Sequence, residues 1–162
     1  AAKFSPNGDT VVASSVDGTI QLWSIESEIR IRTFPLEYRH GLVFAVAFSS
    51  DASTIVSGSQ DGTIQLWSTK HGTRLKRFTD HNGTIQTIAF SPCGNFILSG
   101  SDDATLKIWL IESEVPLNTL PIPKEVDIEP FGRTFSFVAF SPNGRSICSV
   151  LGDGTVIIWG TN

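Results

Sequence analysis

Residues 55–67 read Ile-Val-Ser-Gly-Ser-Gln-Asp-Gly-Thr-Ile-Gln-Leu-Trp, and their pattern predicts the secondary structure of this part of the chain. An Asp-Gly pair between two apolar stretches predicts a tight β-hairpin, because glycine adopts positive φ without steric cost. After the turn, Ile64 and Leu66 alternate with the polar Gln65, and a period of two is that of a strand rather than a helix. The stretch therefore predicts two antiparallel strands joined by a short turn.

The same pattern occurs in four units along the chain. Each unit begins with a Phe-Ser pair and a turn, and its tryptophan follows the phenylalanine by 19 residues; the pairs are Phe4 and Trp23, Phe48 and Trp67, Phe90 and Trp109, and Phe140 and Trp159. A turn dipeptide also precedes a threonine in every unit, at Asp17-Gly18, Asp61-Gly62, Asp103-Ala104 and Asp153-Gly154. Four agreements at one spacing indicate an internal repeat.

The length of the repeat predicts the architecture. The tryptophans are 44, 42 and 50 residues apart, close to the ~40–45 residues of a four-stranded propeller blade. The long third interval contains the proline-rich stretch 121–133, which predicts an exposed loop. No stretch has apolar residues at helical spacing, so we predict an all-β chain forming one domain, 1–162, with repeats at approximately 1–34, 35–78, 79–120 and 121–162.

Composition and charge exclude several classes of protein. The chain is 17% charged with a formal net charge of −4, so it lacks the excess of lysine and arginine that nucleic acid binding favours. No apolar stretch approaches the roughly 20 residues of a membrane-spanning helix, and the N-terminus has no secretory signal pattern. We therefore expect an intracellular, cytoplasmic protein with neither a nucleic acid nor a membrane partner.

The cysteines do not point to a metal or redox site. Cys93 and Cys148 form no CxxC motif, and no cysteine–histidine spacing suits zinc. Cys93 lies in a turn without a histidine or basic neighbour, so we expect no depressed thiol pKa. We predict no metal and no cofactor.

Residues 55–67 and 97–109 resemble the signature of the WD-repeat (WD40) family, and the resemblance covers essentially the entire chain. It implies a β-propeller, with blades around a central channel, that serves mainly as a platform for protein partners. The chain departs from the family pattern in two ways. No tryptophan precedes an aspartate, and no glycine precedes His40 or His81.

The resemblance also implies a buried hydrogen-bonded tetrad in each blade. Its members are a histidine before the first strand, a serine on the second, the hairpin aspartate and the tryptophan: His40, Ser57, Asp61 and Trp67 in one set, and His81, Ser99, Asp103 and Trp109 in another. Ser59 and Ser101 face the same side and remain alternatives for the serines. A buried indole or imidazole left unpaired costs ~1–3 kcal/mol, so the network satisfies polar groups and ties a loop to a hairpin.

The same residue types could instead form a catalytic Ser-His-Asp triad. Catalysis would need an exposed serine, a histidine within hydrogen-bond reach and an oxyanion hole. The set instead repeats in register with the fold, which indicates architecture. We predict that the chain is not an enzyme and that it has no catalytic residues.

Partner contacts in the family often lie on the loops before the first strand and on the hairpin between the second and third. The matching positions here are Leu42, Phe44, Gln60, Thr84, Gln86, Asp102, Thr134 and Ser136. Val43 is expected to point into the blade, so Phe44 is expected to point outward, where an aromatic ring could anchor a partner. The alternative is that Phe44 packs on a neighbouring blade or loop.

The strand count predicts that the ring does not close within this chain. A partial first strand at residues 1–4 is followed by three blades and by a fourth unit that stops after its third strand. Three explanations stay open: a segment of a larger seven- or eight-bladed ring, a homodimer that completes an eight-bladed ring, or a four-bladed closure. We favour the segment, because both ends cut into repeat units.

For function, we predict a non-catalytic scaffold that presents loops and blade faces to a protein or peptide partner. A regulatory or sensing propeller of a larger signalling protein and a purely structural spacer are the alternatives. An enzyme acting through channel residues is a more distant one, because the repeat already accounts for the residue types that catalysis would use.

Overall fold

A computed structural model describes residues 1–15, 18–35, 41–123 and 134–160, and in these ranges the chain forms fifteen strands and no helix. The strands are β1 (Ala2–Phe4), β2 (Thr10–Ser14), β3 (Ile20–Ser24), β4 (Arg30–Phe34), β5 (Val43–Phe48), β6 (Thr54–Ser59), β7 (Thr63–Ser68), β8 (Arg74–Thr79), β9 (Ile85–Phe90), β10 (Phe96–Ser101), β11 (Thr105–Leu110), β12 (Pro116–Pro121), β13 (Phe135–Phe140), β14 (Ser146–Leu151) and β15 (Val156–Gly160). The all-β prediction is confirmed. Of the proline-rich stretch, residues 124–133 lie outside the described part.

The strands form four antiparallel sheets in chain order. The first sheet is β1-β2-β3-β4, the second β5-β6-β7-β8, the third β9-β10-β11-β12, and the fourth β13-β14-β15. Each is a meander in which neighbouring strands pair, as expected for propeller blades. The four sheets do not close into a ring within the described residues.

Turn chemistry explains the hairpins between the second and third strands. Gly62 has a φ of 80°, and the Asp61 carboxylate accepts the Thr63 amide at 3.0 Å, which fixes the turn. A Cβ at Gly62 would lie 2.5 Å from the His81 carbonyl oxygen. Ala104 takes the glycine position in the third sheet with a φ of 63°, a conformation that costs a non-glycine residue roughly 1–2 kcal/mol.

Each sheet has two different apolar faces. The tryptophan face carries a phenylalanine of the first strand, an aliphatic residue of the second and the tryptophan of the third; in the second sheet these are Phe48, Ile55 and Trp67. The receiving face carries the intervening residues, which in the first sheet are Val12, Ile20, Leu22 and Phe34. The tryptophan face of the second, third and fourth sheets packs on the receiving face of the sheet before it, and these three contacts form the core.

Aromatic pairs and close backbone approaches fix these contacts. Phe34 packs against Trp67 with ring centroids 5.7 Å apart, and Phe78 packs against Trp109 at 5.4 Å. A Cβ at Gly100 would lie 2.5 Å from the Phe135 Cβ, so the third and fourth sheets touch where the third has no side chain. This spacing holds the first strands of successive sheets side by side.

Candidate functional site

A groove runs along the first strands of the four sheets. Residues of β1, β5, β9 and β13 line a cavity of about 460 Å³. Its walls include the aromatic rings of Phe44 and Phe137 and the amide of Gln86. The groove occupies the position of the central channel that the WD-repeat resemblance implies.

One end of the groove is bordered by hairpin turns and by the residues that lead into the first strands. The backbone N–H of Gln60 donates to the Leu42 carbonyl at 2.8 Å, and the backbone N–H of Asp102 donates to the Thr84 carbonyl at 3.0 Å. The fourth sheet repeats this pairing through the Thr134 carbonyl, at 2.9 Å. We call this region the hairpin end; it comprises the turns after β6, β10 and β14 and the residues entering β5, β9 and β13.

All eight residues proposed as partner contacts lie at the hairpin end, but they differ in accessibility. Leu42, Phe44, Gln60, Asp102 and Ser136 are exposed, whereas Thr84, Gln86 and Thr134 are half-buried. Phe44 is 40% exposed while the preceding Val43 is 5% exposed, which is the predicted alternation. Their role in partner binding remains a prediction.

Four of the eight side chains take part in hydrogen bonds, and one of them, the Gln60 side-chain carbonyl, accepts the Leu42 amide at 3.5 Å. The Gln86 amide nitrogen donates to the Asp102 carboxylate at 2.9 Å, and the Ser136 hydroxyl donates to the Val150 carbonyl at 3.1 Å. Both bonds join a first strand to the second strand or hairpin of its own sheet. The polar surface beside Phe44 is therefore partly ordered.

Behind the hairpin end, the third sheet contains a complete four-residue network. His81 lies between Ser99 and Asp103, with Nε2 2.7 Å from the serine Oγ and Nδ1 2.7 Å from a carboxylate oxygen. The Trp109 indole N–H donates to the same Ser99 Oγ at 2.8 Å. These contacts place all four members of the proposed set His81, Ser99, Asp103 and Trp109 together.

The Asp103 carboxylate is the acceptor that orients this network. It accepts the Asn82 amide at 3.0 Å, the Thr105 amide at 2.9 Å and the Thr105 hydroxyl at 2.6 Å. Partial burial raises the pKa of Asp103, but hydrogen bonds from His81 and Thr105, the proximity of His81 and the Asn82 amide outweigh it, so the pKa is lowered. The ionised carboxylate accepts the imidazole Nδ1–H, and in the neutral imidazole Nε2 is then the acceptor for the Ser99 hydroxyl.

The other sheets contain reduced versions of the network. In the second sheet the Trp67 indole donates to the Ser57 hydroxyl at 3.0 Å, whereas Ser59 is buried with no partner among the described residues. Asp61 lies at the turn of this sheet, and His40 lies outside the described residues. In the fourth sheet the Trp159 indole donates to Ser149 at 2.9 Å, and in the first sheet Ala13 stands at the serine position.

In the third-sheet network, serine, histidine and aspartate are connected in the same order as in a catalytic triad, but the serine is not accessible. Ser99 is 0% exposed and its oxygen already accepts the Trp109 indole, so a substrate cannot reach the hydroxyl. A serine nucleophile must be accessible to the carbonyl that it attacks. The arrangement is suited to joining the loop before β9 to the hairpin after β10.

Sequence reasoning missed a buried lysine beside this network. Lys107 is buried on β11, and its ammonium donates to the Asp80 carbonyl at 2.9 Å and pairs with the Asp80 carboxylate. Gln65 holds the corresponding position of the second sheet, with amide atoms that are buried and unpartnered in the described part of the chain. The sequence signal that could have indicated this ion pair is the position of Lys107, which the alternation of its strand places on the inward side.

The expectation for Cys93 was wrong. The Ser91 hydroxyl, 3.2 Å from the sulfur, and the Asn95 amide lower the pKa of the exposed Cys93 thiol, although no basic residue is beside it. Across the described ranges no group of three or more potential ligands gathers for a metal ion. No helix in the described part of the chain could span a bilayer.

Comparison with known families agrees with this architecture. The family model described as "WD domain, G-beta repeat" matches residues 1–24, 30–68, 72–109 and 132–160, which together are most of the chain. Each matched stretch contains a Phe-Ser pair and ends at or just after the tryptophan of one sheet. No curated protein sequence matches the chain.

Proposed function

Because this chain belongs to the WD-repeat family, we propose that it is a non-catalytic scaffold that binds a protein or peptide partner at the hairpin end of its groove. WD-repeat domains generally mediate protein–protein interaction, and proteins of this kind are typically scaffolds without catalytic activity. The serine and the histidine of the Ser-His-Asp set, Ser99 and His81, are buried in the third sheet, which supports a scaffold rather than a hydrolase.

The exposure of Phe44 carries this proposal. An aromatic side chain has a large apolar area and little conformational freedom to lose, so aromatic residues are common anchors of interfaces. Phe44 is 40% exposed at the hairpin end although it belongs to a strand whose other described residues are buried or half-buried. The hydrophobic effect favours covering this ring with a partner.

The surroundings of Phe44 fit an interface with an apolar centre and a polar border. Leu42 extends the apolar area toward the hairpin. The hydrogen-bonded pair of Gln86 and Asp102 and the exposed Gln60 provide polar groups that would orient a bound chain. A structural spacer would not need exposed apolar side chains at this position, so Leu42 and Phe44 favour binding over a spacer.

Site-specific photo-crosslinking tests this location. We would place a benzoylphenylalanine at position 44 and, as a matched control, at Leu117, an exposed leucine on the outer strand of the third sheet. We expect a discrete crosslinked species from position 44 that is lost on addition of unlabelled protein and is absent from position 117. Equal crosslinking from positions 44 and 117, or no crosslinking from position 44, would contradict the proposal.

A further inference from the structure

Arginine and lysine side chains collect where the outer edges of the first two sheets, which pack on each other, meet. Residues 62–79 include four of them and no acidic residue, although the net charge of the chain is −4. We propose that this region binds an acidic segment of a partner protein. It uses none of the partner contacts at the hairpin end, so it goes beyond the proposed function. We call it the basic seam; it comprises Arg32, Lys70, Arg74, Leu75 and Arg77.

The pairing of the outer strands directs positive charge from both sheets to the same place. Arg32 is paired with Leu22, so it points from the receiving face of the first sheet toward the second sheet. Arg74 is paired with Trp67, so it points from the tryptophan face of the second sheet toward the first, and Arg77 shares that face. Guanidinium groups of two sheets therefore line one seam.

The Arg32 guanidinium joins the two sheets at this seam. It donates to the Lys70 carbonyl at 2.8 Å and to the His71 carbonyl at 3.3 Å, in the turn after β7. A Cβ at Gly72 would lie 2.5 Å from the Arg32 Cδ, so the arginine packs directly on this turn. Its acceptors are neutral carbonyls rather than a carboxylate, so the positive charge is held beside Lys70 without being neutralised.

The exposed groups of the basic seam combine charge with an apolar side chain. The Arg77 guanidinium lies 3.5 Å from the Thr63 hydroxyl and, in the described part of the chain, pairs with no carboxylate. Leu75 is 53% exposed between two exposed arginines of β8. Guanidinium groups bind carboxylates through two parallel hydrogen bonds, which an ammonium cannot reproduce. The surface therefore fits a segment in which acidic residues flank an aliphatic one.

The seam between the second and third sheets has a different character. Its cation from the second sheet, Lys76, is half-buried and donates to a carbonyl of the third sheet at 2.9 Å. The third sheet has Pro116 and Thr119 where the second sheet has its two exposed arginines. The turn after its third strand contains Glu112 and Glu114 instead of a lysine. The repeat therefore does not require a basic seam, and the third sheet provides matched control positions.

Binding of a synthetic peptide tests the proposal. We would titrate the chain into a fluorescein-labelled peptide with the repeat Glu-Glu-Leu and follow the fluorescence anisotropy. The control peptide has serine in place of each glutamate. We expect saturable binding of the acidic peptide alone, and weaker binding at higher salt because the ion pairs form at the surface. This measurement uses the unaltered chain, so it does not depend on the folding of any variant.

Matched variants locate the peptide on the basic seam. Arg77→Gln and Thr119→Glu lower the net charge equally, so they separate a local contact from the overall charge. We expect about threefold weaker binding for Arg77→Gln, about tenfold when Lys70→Gln is added, and no change for Thr119→Glu. Leu75→Ser should weaken binding several-fold. Leu117→Ser, at the equivalent position of the third sheet and 63% exposed, should leave it unchanged.

Several results would overturn the proposal. Equal binding of the two peptides, no binding of the acidic peptide, or equal losses for Arg77→Gln and Thr119→Glu would each do so, provided that the variants match the far-UV circular dichroism of the unaltered chain. Binding to phosphatidylcholine vesicles that contain phosphatidylserine, without binding of the peptide, would assign the seam to a membrane surface instead. Crosslinking at position 44 is a separate measurement, so failure at the hairpin end and failure at the basic seam are distinguishable.

Discussion

Replacing Ser99 by alanine should destabilise the third sheet, because it removes the hydroxyl that two other members of the network share. The serine Oγ contacts both the His81 imidazole and the Trp109 indole, at 2.7 and 2.8 Å. Alanine would leave two buried polar groups without a partner, and each such group costs about 1–3 kcal/mol. Because His81 keeps its bond to Asp103, we expect a total loss of about 2–4 kcal/mol in the free energy of unfolding.

Ser149→Ala is the matched control for this change. Ser149 is also fully buried, but among the described residues its hydroxyl has one side-chain partner, the half-buried Trp159 indole, at 2.9 Å. Water can reach part of this ring in the variant, so we expect a loss of about 1 kcal/mol or less. The same substitution at two equivalent positions thus separates the network from the general cost of removing a buried hydroxyl.

Urea unfolding followed by tryptophan fluorescence and far-UV circular dichroism measures both losses. An unchanged slope of the unfolding free energy against urea concentration would show that the variants unfold between the same states as the unaltered chain. We expect a clearly larger shift of the urea midpoint for Ser99→Ala than for Ser149→Ala. Equal losses in the two variants, or a loss below about 1 kcal/mol at Ser99, would refute the claim that the serine joins His81 to Trp109.

Two further changes test the packing and the electrostatics. Gly100→Ala would place a Cβ 2.5 Å from the Phe135 Cβ, so thermal unfolding should show a loss of about 1–3 kcal/mol in the free energy of unfolding. Gly160→Ala is the control and should change stability little, because in the described part of the chain nothing beyond its chain neighbours lies within 4 Å of the added Cβ. Equal effects of the two substitutions would contradict the close approach of Gly100 to Phe135. The lowered pKa of Asp103 means that its contribution to stability is present above about pH 4 and is lost as the pH falls. The difference in unfolding free energy between the unaltered chain and Asp103→Asn should therefore shrink below about pH 4, and a difference that grows on acidification would contradict this sign.

Much of the fold could be predicted from the sequence because the same pattern of turn and strand residues occurs in four units. The constant interval from phenylalanine to tryptophan spans the second and third strands of each sheet, and an Asp-Gly or Asp-Ala turn before threonine marks the hairpin between them. Alternation alone placed Val43 inward and Phe44 outward. These features depend on local backbone chemistry, which a single sequence contains.

Features that depend on contacts between distant segments were harder to predict. Alternation could not decide whether Ser57 or Ser59 meets the Trp67 indole, because both point to the same side of the sheet. The partner of Lys107 lies 27 residues earlier in the chain, in the loop before β9. The pKa of Cys93 is lowered by a hydroxyl and an amide of its own turn, which a search for neighbouring charges does not find.

Binding of a partner at the hairpin end through Phe44 can be tested by measuring affinity. Titration of the purified partner identified by crosslinking against the unaltered chain, Phe44→Ala and Leu117→Ala measures this directly. Truncation of an aromatic anchor typically costs more than about 1 kcal/mol, so we expect at least roughly fivefold to tenfold weaker affinity for Phe44→Ala and unchanged affinity for Leu117→Ala. Unchanged affinity for Phe44→Ala, or an equal loss in both variants, would contradict it.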